Sequence, residues 1–465
     1  VLIGHQAGMN VIGNDNTFVG HSAGKYASST TDCIAIGRQA LRGDGTTAPT
    51  GANNIAIGNY AGEAITSGYS NTLIGKDAGK LLTDNIQNVA IGHLALDAAN
   101  AGEHYNVAVG YAALSSEASG ADGCVAIGHS ALLTQNTNLS NNVAIGFEAA
   151  KLLNGGKDSV YIGYQAGGAG VIAGIENTVV GKSAGLNLVA GAKNILVGKD
   201  AGKLLTAGSE NIVIGSYALD ADDTESDRNY NVAIGQATLG AQTATCEYNV
   251  AIGHNALALQ DADVKNTVIG GLAGDAIVAG NKNTLVGYSA GSLIYGGTNN
   301  TVMGHNAYVK GTASDNTVIG MNAGSSVVDG TATAPMTGAN NVLVGSHAGY
   351  GLTDGPGNVL VGKSAGVAMT TGDYNVAIGY HAGDLLAGDS DNNVAIGTNA
   401  LGGEDLASGC IAIGRDALVL QNGTAAVNLA IGYHAGKTVS TGTQNVLIGH
   451  EAGMTLAASA THTGD

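Results

Sequence analysis

The sequence predicts a parallel β-solenoid built from one short repeated coil, and three observations predict it. A motif, Asn-[Val/Ile/Thr]-x-[Ile/Val]-Gly-x-x-Ala-[Gly/Leu], recurs from end to end of the 465 residues. Its period of 17–18 residues is too short for a helical-pair repeat. Glycine is abundant (75 residues) while Trp is absent and Phe occurs twice, so a conventional aromatic core is unavailable.

The marker glycine of the motif occurs 26 times, from Gly4, Gly20 and Gly37 to Gly432 and Gly449, and 20 of the 25 intervals are 17 or 18 residues. β-Branched residues at i and i+2 beside recurring glycines read as strand, turn, strand, turn. One period is then one coil. Coils about 4.8 Å apart would make 26 of them a rod of roughly 120 Å. The repeat fills residues 1–465 as a single repetitive domain, with no room for a separate globular one. Gly lacks a three-residue period, which excludes collagen. The dense, even spacing of β-branched residues argues against disorder.

Each column of the repeat has a physical reading. The residue before the glycine is nearly always Ile or Val, and the residue three before it is Val, Ile or Thr except at Leu429. Alternation puts both on one strand face, and these bulky side chains are expected to fill the coil's interior. On that reading Ile234 and Ile252 point inward. Ala three after the glycine suits a narrow interior, with Thr238 the one departure. The glycine suits a corner that needs positive φ or a close backbone approach. Asn four before it occupies 21 of 25 positions and can build an amide ladder up the stack. Cys33, Cys124, Cys410 and Ser159 replace it, so these cysteines read as small, partly buried structural thiols. With Cys246 they form no CxxC or other metal-ligand spacing.

In the 25 copies after the first, the column two before the glycine holds 12 Ala, 6 Leu, 5 Val, Phe18 and Tyr161. If the β-branched neighbours point inward, this column points outward, as an unbroken apolar stripe. Such a stripe on a soluble rod marks an interface. Phe18, Ala90, Ala108, Ala126, Ala144, Leu343 and Leu360 are therefore the expected contacts between copies of the chain, with cyclic symmetry. Cover by a second layer of the same chain is the alternative.

The pentapeptide Asn-Val-Ala-Ile-Gly, at 88–92, 142–146, 231–235, 375–379 and 393–397, resembles the head repeat of trimeric autotransporter adhesins of the YadA type. It is similar also to repeats of phage tail fibres. The resemblance covers essentially the whole chain. It implies a left-handed parallel β-roll, three chains side by side, and an adhesive or fibre role. The coils here are longer than the adhesin coil, so an outer loop is extended. No coiled-coil stalk, membrane anchor or tail-fibre chaperone segment is found in the sequence.

The position after the glycine forms a second stripe, of rings and cations. It includes His5, His21, Lys76, His93, Tyr111, His129, Tyr164, Lys182, Lys199, His254, Tyr288, His305, Lys363, Tyr380, Tyr433 and His450. Lys25, Lys80, Lys151, Lys203 and Lys437 recur four residues further on. This stripe is a candidate multivalent strip for a host, cell or glycan surface, where weak contacts add. The structural alternative is long side chains lining the rim of an inter-chain groove.

Three intervals are long: Gly37 to Gly58, Gly215 to Gly235 and Gly320 to Gly345. The second carries Asp220, Asp222, Asp223, Glu225 and Asp227, a candidate calcium loop because hard cations take six to eight oxygens. A solvated acidic loop is the default, and no other cofactor is expected. The net charge of −18 disfavours nucleic acid and anionic membranes as partners. No apolar run reaches the ~18 residues that span a bilayer.

His-Glu-x-x-His does not occur in the sequence, the matches to Gly-x-Ser-x-Gly (as at Gly20–Gly24) and to a phosphate loop (Gly357–Ser364) fall on glycines of the repeat that read as corner residues, and no enzyme activity is expected. The expected function is a rigid extracellular, cell-surface or virion fibre or adhesin segment. The alternative is a subunit of a self-assembling filament, in which head-to-tail stacking joins the chains. The near identity of residues 1–9 with 446–454 fits such stacking, or a piece cut from a longer array.

Overall fold

A computed structural model describes residues 1–454 apart from 44, 46, 48, 98–102, 118–121, 136–139, 169, 221–227, 241–245, 260–264, 326, 329–330, 333, 404–407 and 424–426. Among the described residues there is no helix. The chain forms two compact units, Val1–Asn231 and Val232–Asp465. Each is a parallel β-solenoid.

The first unit stacks thirteen short strands, from Leu2–Ile3 and Thr17–Val19 to Ile212–Ile214. The second stacks thirteen more, from Val232–Ile234 to Val446–Ile448. Within each unit every such strand pairs in parallel with the corresponding strand of the next coil. Val125 lies beside Val143, Ala126 beside Ala144 and Ile127 beside Ile145. Every marker glycine follows one of these strands, so one repeat is one coil. Some coils add a two-residue strand on the far side, as where Thr134–Gln135 pairs with Ser116–Glu117 and Leu152–Leu153. In the long interval before Gly345, Val327–Val328 and Thr331–Ala332 pair antiparallel.

The strands end at the marker glycine because the chain must turn there while touching the next coil. Gly128 has φ +137°, and a Cβ on it would lie 2.3 Å from the carbonyl oxygen of Gly146. No L side chain fits that approach. In the turn that follows, the N–H of the repeat's alanine donates to the glycine carbonyl, as from Ala61 to Gly58 (3.3 Å). Thr238 takes the alanine position in one coil without loss, because its buried hydroxyl donates to the Gly253 carbonyl at 2.8 Å.

The interior is filled by the column two before the glycine, and this reverses the sequence expectation. Phe18, Ala90, Ala108, Ala126, Ala144, Leu343 and Leu360 are fully buried within their own coils. They are core residues, not an outward contact surface. The β-branched columns on either side, Ile234 and Ile252 among them, face outward and are partly exposed. The physical reason is the width of the coil. Three-residue strands closed by tight turns leave an interior that admits one side chain per strand, often only an alanine.

Volume inside each coil is balanced between two positions. Where the central strand residue is large, as in Phe18, Leu73, Tyr161, Leu196 and Leu360, the position four after the marker is glycine. A Cβ on Gly24 would lie 2.5 Å from the Phe18 ring, and one on Gly167 would lie 2.6 Å from the Tyr161 ring. Where the central residue is Ala35, Ala90, Ala108 or Ala126, that position carries a buried leucine instead: Leu41, Leu96, Leu114 or Leu132. Many coils with glycine there bring in another apolar residue three positions on, such as Ile65, Leu82 or Leu386. Close packing of this kind sets the choice of residue coil by coil.

The asparagine column is buried and forms the expected ladder. In the run Asn54, Asn71, Asn88, each Oδ1 accepts the backbone N–H of the next (both 3.0 Å). Each of Asn71 and Asn88 also donates its side-chain amide to the previous Oδ1 and to a backbone carbonyl on the far wall, Asn85 and Glu103 respectively. A polar side chain this deep is tolerable because its donors and acceptors are used. Cys33, Cys124, Cys410 and Ser159 occupy the same column, buried and within the ladder. The Cys33 N–H donates to Asn16 Oδ1 at 3.0 Å, and the Cys124 N–H to Asn106 Oδ1 at 2.8 Å. All four cysteines are free thiols, and burial raises the pKa of Cys33, so they sit as small core residues.

Candidate interaction faces

Two features of the coil surface follow from this inversion. The first is the outer face of the sheet. Because alternate strand residues point out, each coil presents one side chain three before its glycine and one just before it. Ile34 and Ile36, Ile195 and Val197, and Ile212 and Ile214 are examples. Ile36, Ile195 and Ile214 are 39–40 % exposed although they lie in the middle of a continuous sheet. The result in each unit is two parallel rows of mostly β-branched side chains facing away from the core, apolar except for Thr at three coils of the first unit and four of the second.

The second feature is the ring and cation column after the glycine. The rungs repeat at the strand spacing, so successive rings stack. Tyr111 lies on His129 (4.9 Å between centroids), His129 on Phe147 (5.1 Å) and Phe147 on Tyr164 (5.2 Å). His93 meets Tyr111 edge-on, Lys76 Nζ lies 3.4 Å from His93 Nε2, and Lys182 covers the other end over Tyr164. Seven consecutive coils thus carry one ladder. Shorter ladders join His5 to His21, Tyr288 to His305, and Tyr433 to His450. Lys363 lies over Tyr380, while Lys199 lies over Tyr217 and bonds its hydroxyl. His254 stands alone in its column because the next coil offers Gly271. Stacking occupies the ring faces, and ring nitrogens at the edge meet neighbouring hydroxyls, His21 Nδ1 with Ser22 Oγ at 3.1 Å and His129 Nδ1 with Ser130 Oγ at 3.0 Å.

The cations beside this ladder are largely engaged. Lys76 and Lys80 both pair with Asp77, at 2.6 and 3.4 Å. Lys151 pairs with Glu148, Lys199 and Lys203 with Asp200, and Arg415 and Lys437 with Asp416. Burial opposes the charge of Asp77, but hydrogen bonds and attraction from Lys76 and Lys80 outweigh it and hold the carboxyl below its ordinary range. Asp416 behaves alike: burial is overcome by Asn399, Lys437 and His434. The sequence reading of a basic strip missed these acids, which stand two residues after the marker glycine in five of the coils, at Asp77, Glu148, Asp200, Asp416 and Glu451. Their side chains lie under the stripe.

Of the candidate calcium loop, Asp220 lies within the described residues; Asp222, Asp223, Glu225 and Asp227 lie outside them. Burial pushes the Asp220 carboxyl up to about 6, with Lys203 opposing and Asp200 adding. Among the described residues no three His, Cys, Asp or Glu side chains gather as metal ligands.

The fold and these faces define the chain as a β-solenoid repeat protein. No protein-family model matches it, and no curated protein matches it significantly.

Proposed function

We propose that this chain is a non-enzymatic segment of an extracellular, cell-surface or virion fibre, which associates with further copies of itself and attaches to a surface. The observation that carries the reading is the outward face of two apolar rows. Soluble proteins rarely leave so long an apolar strip uncovered. At roughly 100 Å² of apolar surface per rung, thirteen rungs present on the order of 1,300 Å², above the ~800 Å² per partner of a standard stable interface. The strip is flat, periodic and as long as the unit, and a second copy of the chain is the partner that matches it along its length. The resemblance of the repeat to adhesin heads suggests three copies around one axis. The ring ladder, standing at the edge of that face, supplies repeated polar edges for contact with a glycan or cell surface.

The test is mass in solution by light scattering, on the wild type and on an Ile91→Glu, Ile127→Glu double variant. Both positions are surface-exposed, so the coil folds in either case. An oligomeric wild type and a monomeric double variant are expected. A monodisperse monomeric wild type sinks the reading. Attachment is tested separately by retention on glycan-coated and cell surfaces. Loss of retention in a Tyr111→Ala, His129→Ala variant is expected, and unchanged retention removes the ladder from the mechanism.

A further inference from the structure

The ring ladder of the first unit and an extended sugar chain share a period. Resting on the attachment role proposed above for that ladder, we infer that its ligand is a neutral β-1,4-linked polysaccharide, laid along the stack with one sugar per coil.

The body of the ladder is five consecutive rungs, His93, Tyr111, His129, Phe147 and Tyr164, whose ring centroids step by 4.9 to 5.5 Å. A β-1,4-linked chain of pyranose rings is straight and advances by about 5 Å per sugar, close to the rise of one coil. Sugar and rung therefore stay in step along the whole run. Chains with α-1,4 or β-1,3 links coil, and soon leave a straight strip. In the second unit the stacked runs of this column hold two rings each, Tyr288 with His305 and Tyr433 with His450, so the site is assigned to the first.

The chemistry of the strip suits such a chain. All five rings are exposed. Beside them run the half-exposed marker glycines, which place no side chain in the way, and then the outward aliphatic row that includes Ile91, Ile127 and Ile145. A sugar ring likewise carries C–H groups on its faces and hydroxyls at its rim. Among the described residues the hydroxyls of Tyr111 and Tyr164 make no hydrogen bond, and His129 bonds Ser130 through Nδ1, which leaves its Nε2 open. These three groups can each exchange a hydrogen bond with a sugar hydroxyl, the polar handle that a tyrosine or histidine edge provides.

Charge selects a neutral sugar. The column after the glycine holds no carboxylate in any of the 26 coils. The acids beneath the ladder are already paired, Asp77 with Lys76 and Lys80, and Glu148 with Lys151. The five rungs thus present neither a free acid nor a free cation. Each contact is weak alone, and contacts held in step along one ligand add.

Isothermal titration of the wild-type chain with β-1,4-linked oligomers of glucose and of N-acetylglucosamine, in increasing length, tests the assignment. Affinity for at least one series is expected to climb with each added sugar and to level off at about five, the number of rungs. An α-1,4-linked glucose hexamer should bind at least roughly tenfold more weakly. His129→Ala, at an exposed position, divides the ladder and should bring the plateau down to about two sugars, with a urea midpoint like that of the wild type. Equal affinity for the α- and β-linked hexamers, or a plateau that His129→Ala does not move, overturns the rung-by-rung alignment. Tighter binding of a β-1,4-linked uronic acid oligomer overturns the neutral class. A chain that holds to glycan-coated surfaces but binds neither neutral series overturns the ligand assignment and leaves attachment standing. A chain retained on no glycan surface overturns attachment itself, and the ligand with it.

Discussion

The side-chain carbonyl of Asn71 accepts two hydrogen bonds from one residue of the next coil, the backbone N–H of Asn88 at 3.0 Å and its side-chain amide at 3.2 Å. The same Asn71 donates its amide to Asn54 Oδ1 and to the Asn85 carbonyl. One side chain thereby joins three coils and ties the strand to the opposite wall.

Asn71→Ala should lower stability by about 2–4 kcal/mol, because it leaves buried donors and an acceptor without their partner. Urea unfolding measures it. Asn141→Ala, at the exposed neighbouring column, is the comparison and should cost less, about 1 kcal/mol, since it loses only an exposed bond to Asp158 and places Ala at a φ of +63°.

The volume balance inside the coil predicts a compensating pair. Ala108→Leu overfills a coil that already holds Leu114, and should cost about 1–3 kcal/mol. Ala108→Leu combined with Leu114→Gly copies the arrangement of Leu73 with Gly79 and should recover much of that loss. A double variant no more stable than Ala108→Leu alone contradicts the pairing.

Gly128→Ala should be among the most damaging single changes, at more than about 3 kcal/mol, since its Cβ meets the Gly146 backbone. Gly296→Ala is a useful contrast: a Cβ there has nothing within 4 Å, and only its φ of +92° is unfavourable. A cost of about 1–3 kcal/mol is expected for it. Thermal melts of the two rank them.

Asp220 gives a pH dependence whose sign is fixed. Its carboxyl in the folded chain is raised to about 6 from 3.8, so the folded state holds the proton more tightly than the unfolded one. The resulting stability is full below pH 4 and is lost as pH rises through about 6. Solvent screening of this half-buried group leaves an effect on the order of 1 kcal/mol. Asp220→Asn should remove the slope between pH 4 and 7 and be more stable than wild type at pH 7, as read from urea midpoints across that range. Asp77 and Asp416, held below their ordinary values, act in the opposite direction and lose stability only under acid conditions, as pH falls through their lowered pKa.

The parallel solenoid and its coil length were legible in the spacing of the marker glycines, and the amide ladder in the asparagine column. The facing of the strand was misread, although parity held the answer. Asn88 and Ala90 are two apart and must share a side. Once the asparagine is assigned to the interior, the alanine goes with it, and Val89 and Ile91 must face out. Side-chain bulk suggested the opposite, because β-branched residues usually fill cores. Here their strand preference is used on the outside, and the core is sized by alanine and glycine. The pairing of Phe18 with Gly24 against Ala35 with Leu41 was also readable, as covariation between two columns of one chain. The acids beneath the ring stripe were visible as residues, but their contacts across coils depend on how the turn folds each side chain back, which spacing does not specify.

The outer face is a ruler with equal graduations and no numerals. The side chains that distinguish one coil from another, such as Phe18, Tyr161 and Tyr308, are turned into the core, whereas Val, Ile and Thr repeat on the outside. Sliding a matching surface by one graduation, about 4.8 Å, restores nearly the same contacts. Position along the face of each unit must then be read from its irregular marks: the long interval after Gly37 in the first, that after Gly320 in the second, and the uneven order of charges along the borders. Lengthening or shortening the array by whole coils would leave the gauge of the ruler unchanged and alter only its span.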